Sequence, residues 1–197
     1  MRALFVLLAA LTLTACNAAV SEKPLFSARD ARGAPPLKPG LWAMIEVTGE
    51  GECVFDAAHP PKPWPGCAKP LKITATTLND VSEEKPPMAY IFAKGSPRIL
   101  QVRFDPDGGD GKVIYVYLGL DAGPARGPVT QATAWLVQCG PPGGGEGHST
   151  GLTDHPLPGM SVRDQTCYAA SARAIRGAAG PSRDWDHPLR LVWVADL

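Results

Sequence analysis

The sequence predicts an α+β domain: a mainly antiparallel β-sheet or small barrel with one C-terminal amphipathic helix, loop-rich and stapled by disulfides. Three observations lead there. Short runs of β-branched, aromatic and aliphatic residues recur along the chain, separated by Gly, Pro, Asn and Asp. One late stretch carries helical rather than strand periodicity. Four cysteines lie beyond residue 50, spaced among loop-forming residues. The 21 glycines and 21 prolines among 197 residues mark a loop-rich chain, and 45% hydrophobic residues supply a core. That Gly and Pro content lies below the roughly 25–30% of low-complexity disorder.

In chain order, residues 16–38 show little periodicity and several breakers, so they read as a flexible tether. Its 22 residues from Asn17 to Lys38 would span about 26 Å as a coil. A single globular domain, 39–197, follows. Residues 41–47 (LWAMIEV) form a strand with Leu41, Ala43, Ile45 and Val47 on one face. The proline-rich run 59–70 (HPPKPWPGCAKP) is extended and rigid because proline fixes φ, with Trp64 tucked inward. Residues 71–78 (LKITATTL) suit a strand, 79–87 a polar turn and 88–93 (MAYIFA) a short strand. A hairpin comes next: Leu100, Val102 and Phe104 point inward and Gln101 and Arg103 outward. A turn over 105–111 leads back into 112–120, which is apolar on both faces and therefore central. Residues 129–139 form another strand, and 140–160 a long loop. Ser161 and Asp164 have capping-box spacing. Cys167, Tyr168, Ala170, Ala174, Ile175 and Ala178 then share one helical arc, opposite Gln165, Arg173 and Arg176. Gly180-Pro181 stops that helix, and 189–195 (LRLVWVA) is the last strand.

The chain begins with Met1-Arg2 and an apolar run from Ala3 to Leu13. The run is shorter than the roughly 20 residues a spanning helix needs, but it suits the apolar region of a secretory leader. It closes on Leu13-Thr14-Ala15-Cys16, which resembles the lipobox of bacterial lipoproteins. The resemblance covers these residues only. It implies a signal peptide over 1–15, a diacylglyceryl group on the Cys16 thiol, and a further palmitate-type chain on its amine. Two or three such chains give a durable membrane anchor where one does not. Asn17, in place of Asp, favours the periplasmic face of the outer membrane over the inner membrane in this envelope family.

Assigning Cys16 to lipid leaves an even set, Cys53, Cys67, Cys139 and Cys167, which in an oxidising compartment reads as disulfides. Three connectivities are open. Cys53–Cys67 and Cys139–Cys167 are favoured because each would staple one long Gly/Pro-rich loop, for roughly 3 kcal/mol apiece in the chain-entropy model. A zinc site lacks the closely spaced ligand pairs that structural zinc uses.

Charge excludes one partner class. The 19 basic residues balance the 19 acidic ones without a run of either sign, so nucleic acid is not an expected partner. Among catalytic patterns, Gly147-His-Ser-Thr-Gly151 is a literal G-x-S-x-G, and Ser149, Asp184 (or Asp186) and His187 follow in the chain order of an α/β-hydrolase triad. Its flanks are wrong: a Gly/Pro run precedes it and two prolines follow, where a strand and a helix are required. The same loop is no phosphate cradle, because His148 stands where the P-loop lysine belongs. Asp105, Asp107 and Asp110 lack the EF-hand spacing and read as a hairpin turn. His59, His155 and His187 precede prolines in separate loops. The expectation is a non-catalytic binding or assembly module without metal or cofactor. Its partners would be the membrane, through Cys16, and an envelope protein or cell-wall component. A serine hydrolase using Ser149, Asp184 and His187 is the alternative.

Overall fold

In the computed structural model, which describes residues 17–47, 53–82, 85–105, 113–123, 127–143 and 151–197, a meander of strands closes on itself as a barrel. After strand β1 (Ala19–Ser21) and the short helix α1 (Ala28–Ala31), the meander runs through β2 (Gly40–Glu46), β3 (Ala68–Ile73), β4 (Thr77–Asp80) and β5 (Met88–Ala93). It continues through β6 (Arg98–Phe104), β7 (Ile114–Asp121) and β8 (Gln131–Leu136). The chain then leaves the barrel for the hairpin β9 (Met160–Arg163) and β10 (Thr166–Ala169) and the helix α2 (Ala172–Ser182). It returns as β11 (Leu189–Ala195), which pairs antiparallel with both β8 and β2 and closes an eight-stranded barrel. Every barrel pairing is antiparallel.

Strand alternation divides the apolar residues into an inner set and an outer set. Trp42, Ile73, Tyr90, Phe92, Leu100, Val102, Leu120, Ala132, Ala134 and Leu191 form one cluster inside the barrel, with Leu37 and Val129 sealing the end where β2 begins. The outer faces are covered three times over. Phe55 and Trp64, in edge contact within the loop joining β2 to β3, lie on Ala43, Ile45, Val192 and Val194. Helix α2 lays Ala174, Ile175, Ala178 and Ala179 against Tyr117 and Val137 on the side of β7 and β8. The N-terminal segment crosses β6, where Gln101 accepts hydrogen bonds from the backbone N–H groups of Leu25 and Phe26 and donates to Phe26 O. Gln101 thus points outward from the barrel, as expected, yet is buried beneath this segment.

Three sequence expectations are corrected. Residues 16–38 are not a tether from Asn17 onward: β1 pairs with β7 and β10, and Asn17, Phe26 and Leu37 are buried. Residues 71–78 are not one strand but the end of β3, a turn at Thr74–Thr76 and the start of β4; Thr74 Oγ1 accepts from Thr77 N and fixes that turn. The helix starts at Ala172, not Ser161. Asp164 and Gln165 both take positive φ, 48° and 58°, and make a two-residue hairpin turn between β9 and β10. Pairing of β10 with β1 and the disulfide to Cys139 then hold Cys167 in a strand. Ser171 caps the helix by accepting from Ala174 N, and Pro181 lies inside its last turn rather than ending it. The described cysteines form two disulfides, Cys53–Cys67 and Cys139–Cys167.

Candidate functional site

The barrel has unequal ends. At the end where β2 and β6 begin, Leu37, Trp42, Ile73, Leu120 and Val129 are fully buried. Toward the other end the inward-facing residues open progressively to solvent. Met44, Leu71, Leu78, Met88 and Leu118 are half-buried against the same inner cluster, and so are the inward positions Val116, Leu136 and Leu189. Among the described residues the result is a shallow apolar cup above a packed interior in which Trp42 is fully buried. Tyr90 is the one hydroxyl in that cluster, and it donates to Thr74 O at 2.8 Å. Burial pushes its pKa up to about 12, so the group stays neutral. Arg98, inward on β6 beside Leu120 and Phe92, keeps a buried Nη1 without a hydrogen-bond partner.

The rim of the cup is asymmetric. Glu46, Lys69 and Asp80 occupy the inward positions on the adjacent strands β2, β3 and β4, giving a charged arc. Met88, Phe104, Ile114, Leu136 and Leu189 complete the rim with apolar side chains. Sequence reading assigned these strands but missed the cup, since alternation within a strand does not say how strands curve around each other. The available signal was that β2, β5 and β7 are apolar on both faces, which an open sheet with one wet side does not need.

The catalytic alternative finds little support in its surroundings. Ser149 and Cys16 lie outside the described residues, as do Asp107 and Asp110. Gly151 forms an isolated bridge to Gly143, and the next element after it is strand β9, not the helix of a nucleophile elbow. Asp184 and His187 are exposed on the stretch after α2. Between them Asp186 accepts from Leu136 N at 2.6 Å, a bond that fixes the entry into β11. Burial raises the Asp186 pKa, opposed by the backbone N–H groups of Leu136 and His187. Among the described residues no three His, Cys, Asp or Glu side chains come close enough to hold a metal ion.

A second polar cluster starts at Asn17, the first described residue. Asn17 Nδ2 donates to Gln138 Oε1 (3.0 Å) and Gly140 O (2.8 Å), while Asn17 Oδ1 accepts from Thr153 N (3.2 Å). Gln138 N in turn donates to Ser182 Oγ, and Gln138 Nε2 to Trp185 O. Residue 17 is thereby fastened to the end of α2. Among the described residues no helix is long and apolar enough to cross a membrane. No family model, curated protein or solved structure matches the chain.

Proposed function

We propose that this protein is a lipid-anchored, non-catalytic binding module of the bacterial cell envelope, attached through Cys16 on the periplasmic face of the outer membrane, with its binding site in the open end of the barrel. The observation that supports the reading is the gradient of burial inside the barrel, from Leu37, Trp42 and Val129 to the half-buried Met44, Leu71, Met88 and Leu118. Closed eight-stranded barrels have room for their own side chains or for one small ligand, and burying half-exposed Leu and Met surface is the available driving force. The buried Asn17 adds a geometric consequence. A lipidated Cys16 would leave no spacer, so the body would sit directly on the bilayer surface.

Membrane fractionation of Cys16→Ser tests the anchor: the variant is expected in the soluble envelope fraction, and retention on membranes would refute lipidation. Fluorophosphonate labelling tests the absence of catalysis. No adduct is expected, and a label lost in Ser149→Ala would replace this reading with the hydrolase.

A further inference from the structure

The two disulfides sit in different surroundings. Cys139 and Cys167 are 0% exposed, enclosed by the cluster that packs α2 against the barrel. Cys53 and Cys67 are half-buried on the outer wall, where they close a strap, residues 53–67, over β2 and β11. We propose that Cys53–Cys67 is a redox latch: a dithiol reductant opens it while Cys139–Cys167 stays closed, and the freed strap uncovers the apolar wall beneath it. This goes beyond the binding-module reading and does not rest on it.

Three observations carry the proposal. The first is access. Thiol–disulfide exchange needs a thiolate to reach a sulfur. A half-buried pair at the surface admits that approach, whereas a pair at 0% exposure admits it only after local unfolding. The second is how little else holds the strap. Among the described residues its hydrogen bonds before Cys67 are local: Ala58 N donates to Asp56 Oδ1, His59 Nδ1 lies 3.1 Å from Asp56 Oδ2, and Ala68 N donates to Pro65 O. What remains is the contact of Phe55 and Trp64 with the wall. Cys67 is fixed independently of its sulfur, because its carbonyl accepts from Glu46 N and continues the pairing of β2 with β3. Breaking the S–S bond therefore frees the Cys53 side of the strap and leaves the barrel ladder intact.

The third observation is what the strap covers. Ala43 and Ile45 point outward from the barrel yet are 0% and 2% exposed, and Val192 and Val194 beside them are half-buried. With the strap lifted, these residues form a contiguous apolar patch of the kind that marks interaction sites. Reduction itself is a balanced two-electron exchange. One thiolate of the reductant attacks Sγ of Cys53 or Cys67, and the other cysteine leaves as a thiolate. The reductant's second thiol then displaces the cysteine from the mixed disulfide. The reductant ends as a disulfide, and its two electrons and two protons pass to the two protein thiols.

The test uses the folded full-length Cys16→Ser protein, which takes the fifth cysteine out of the count, with dithiothreitol as the reductant and no denaturant. Iodoacetamide trapping and peptide mapping are expected to show Cys53 and Cys67 alkylated at least about tenfold faster than Cys139 and Cys167, since the buried pair waits on unfolding. Acrylamide quenching of Trp64, isolated by comparison with Trp64→Phe, should rise on reduction. Binding of anilinonaphthalene sulfonate, the probe for the uncovered patch, should rise with it. The Cys53→Ser, Cys67→Ser double variant should reproduce both signals without reductant and keep the far-UV circular dichroism of the parent; the reduced parent carries the same readouts independently of how that variant folds. The proposal is overturned if the two disulfides are reduced together, if Cys139–Cys167 opens first, or if selective reduction leaves the quenching of Trp64 unchanged. None of these readouts depends on what the barrel interior binds.

Discussion

Replacing Asn17 by Ala tests whether the chain is rigid from the first residue after Cys16. The side chain is 3% exposed and makes three hydrogen bonds, two as donor and one as acceptor. Each contributes about 1 kcal/mol net, and a buried partner left unmade costs about 1–3 kcal/mol more. The three partners are Gln138 Oε1, Gly140 O and Thr153 N, and Gln138, Gly140 and Thr153 are all buried, so each group loses its partner away from water. A loss of about 3 kcal/mol is the expected outcome, read as a lower urea midpoint at unchanged slope. Because Ala19 N donates to Val137 O and Cys139 N to Asn17 O, the backbone ladder should persist, and the variant should remain folded. A loss below about 1 kcal/mol would refute the reasoning. The segment would then behave as a tether, and the inference that an anchored body lies flat on the bilayer would fall with it.

Gly119→Ala should cost about 1–3 kcal/mol by overpacking, since a Cβ there would press on the Trp135 ring, which is trapped under α2 with its Nε1 donating to Ala179 O at 2.7 Å; unchanged thermal stability would contradict this. Asp186→Asn separates burial from hydrogen bonding. The folded pKa lies above the unfolded one, so the wild type gives up stability as pH rises from about 4 through the raised value. Asparagine keeps an acceptor for Leu136 N and does not ionise, so its stability relative to the wild type should rise over that window and then level off. A difference that stays constant with pH would show that Asp186 is not desolvated. Arg98→Met removes a buried Nη1 that has no hydrogen-bond partner, at the expense of a contact between the guanidinium and the Phe92 ring at 5.6 Å. The two effects are similar in size, so stability should change by less than about 1 kcal/mol; a loss above about 2 kcal/mol would mean that Arg98 has an anionic partner.

Much of the strand layout was legible because local pattern and final environment agree. Met88–Ala93 and Leu189–Ala195 have the bounds their apolar runs suggest, and β7 is central because both its faces meet apolar neighbours. The errors fall where local pattern and tertiary environment part. Residues 161–170 carry a respectable helical arc, yet Cys167 is crosslinked to Cys139 and Tyr168 pairs with Val20, contacts remote in sequence that favour extended backbone. Residues 17–38 lack periodicity because they form no long element. They are ordered instead by side chains: Gln101 holds the backbone of Leu25 and Phe26, and Arg176 lies over the Phe26 ring. A segment held by distant polar groups leaves no repeating signal of its own.

The same logic explains why the candidate site was hidden. Sequence motifs report chemistry concentrated in neighbouring residues, as Gly147–Gly151 does, and in this chain such a motif sits beside an isolated bridge rather than an elbow. The cup is made of single residues from many strands, each an unremarkable Leu, Met or Val. What distinguishes them is their axial level in a closed barrel. Trp42 is fully buried, while Met44, two residues further along the same strand and on the same face, is half-open to solvent. That difference arises only when β11 closes the meander between β8 and β2. Under the proposed binding-module reading the inward-facing apolar residues would divide two jobs by depth, stability near Leu37 and Val129 and ligand contact near the rim. Substitutions near the floor should lower stability whether or not a ligand is present, whereas those near the rim should change ligand binding at nearly constant stability.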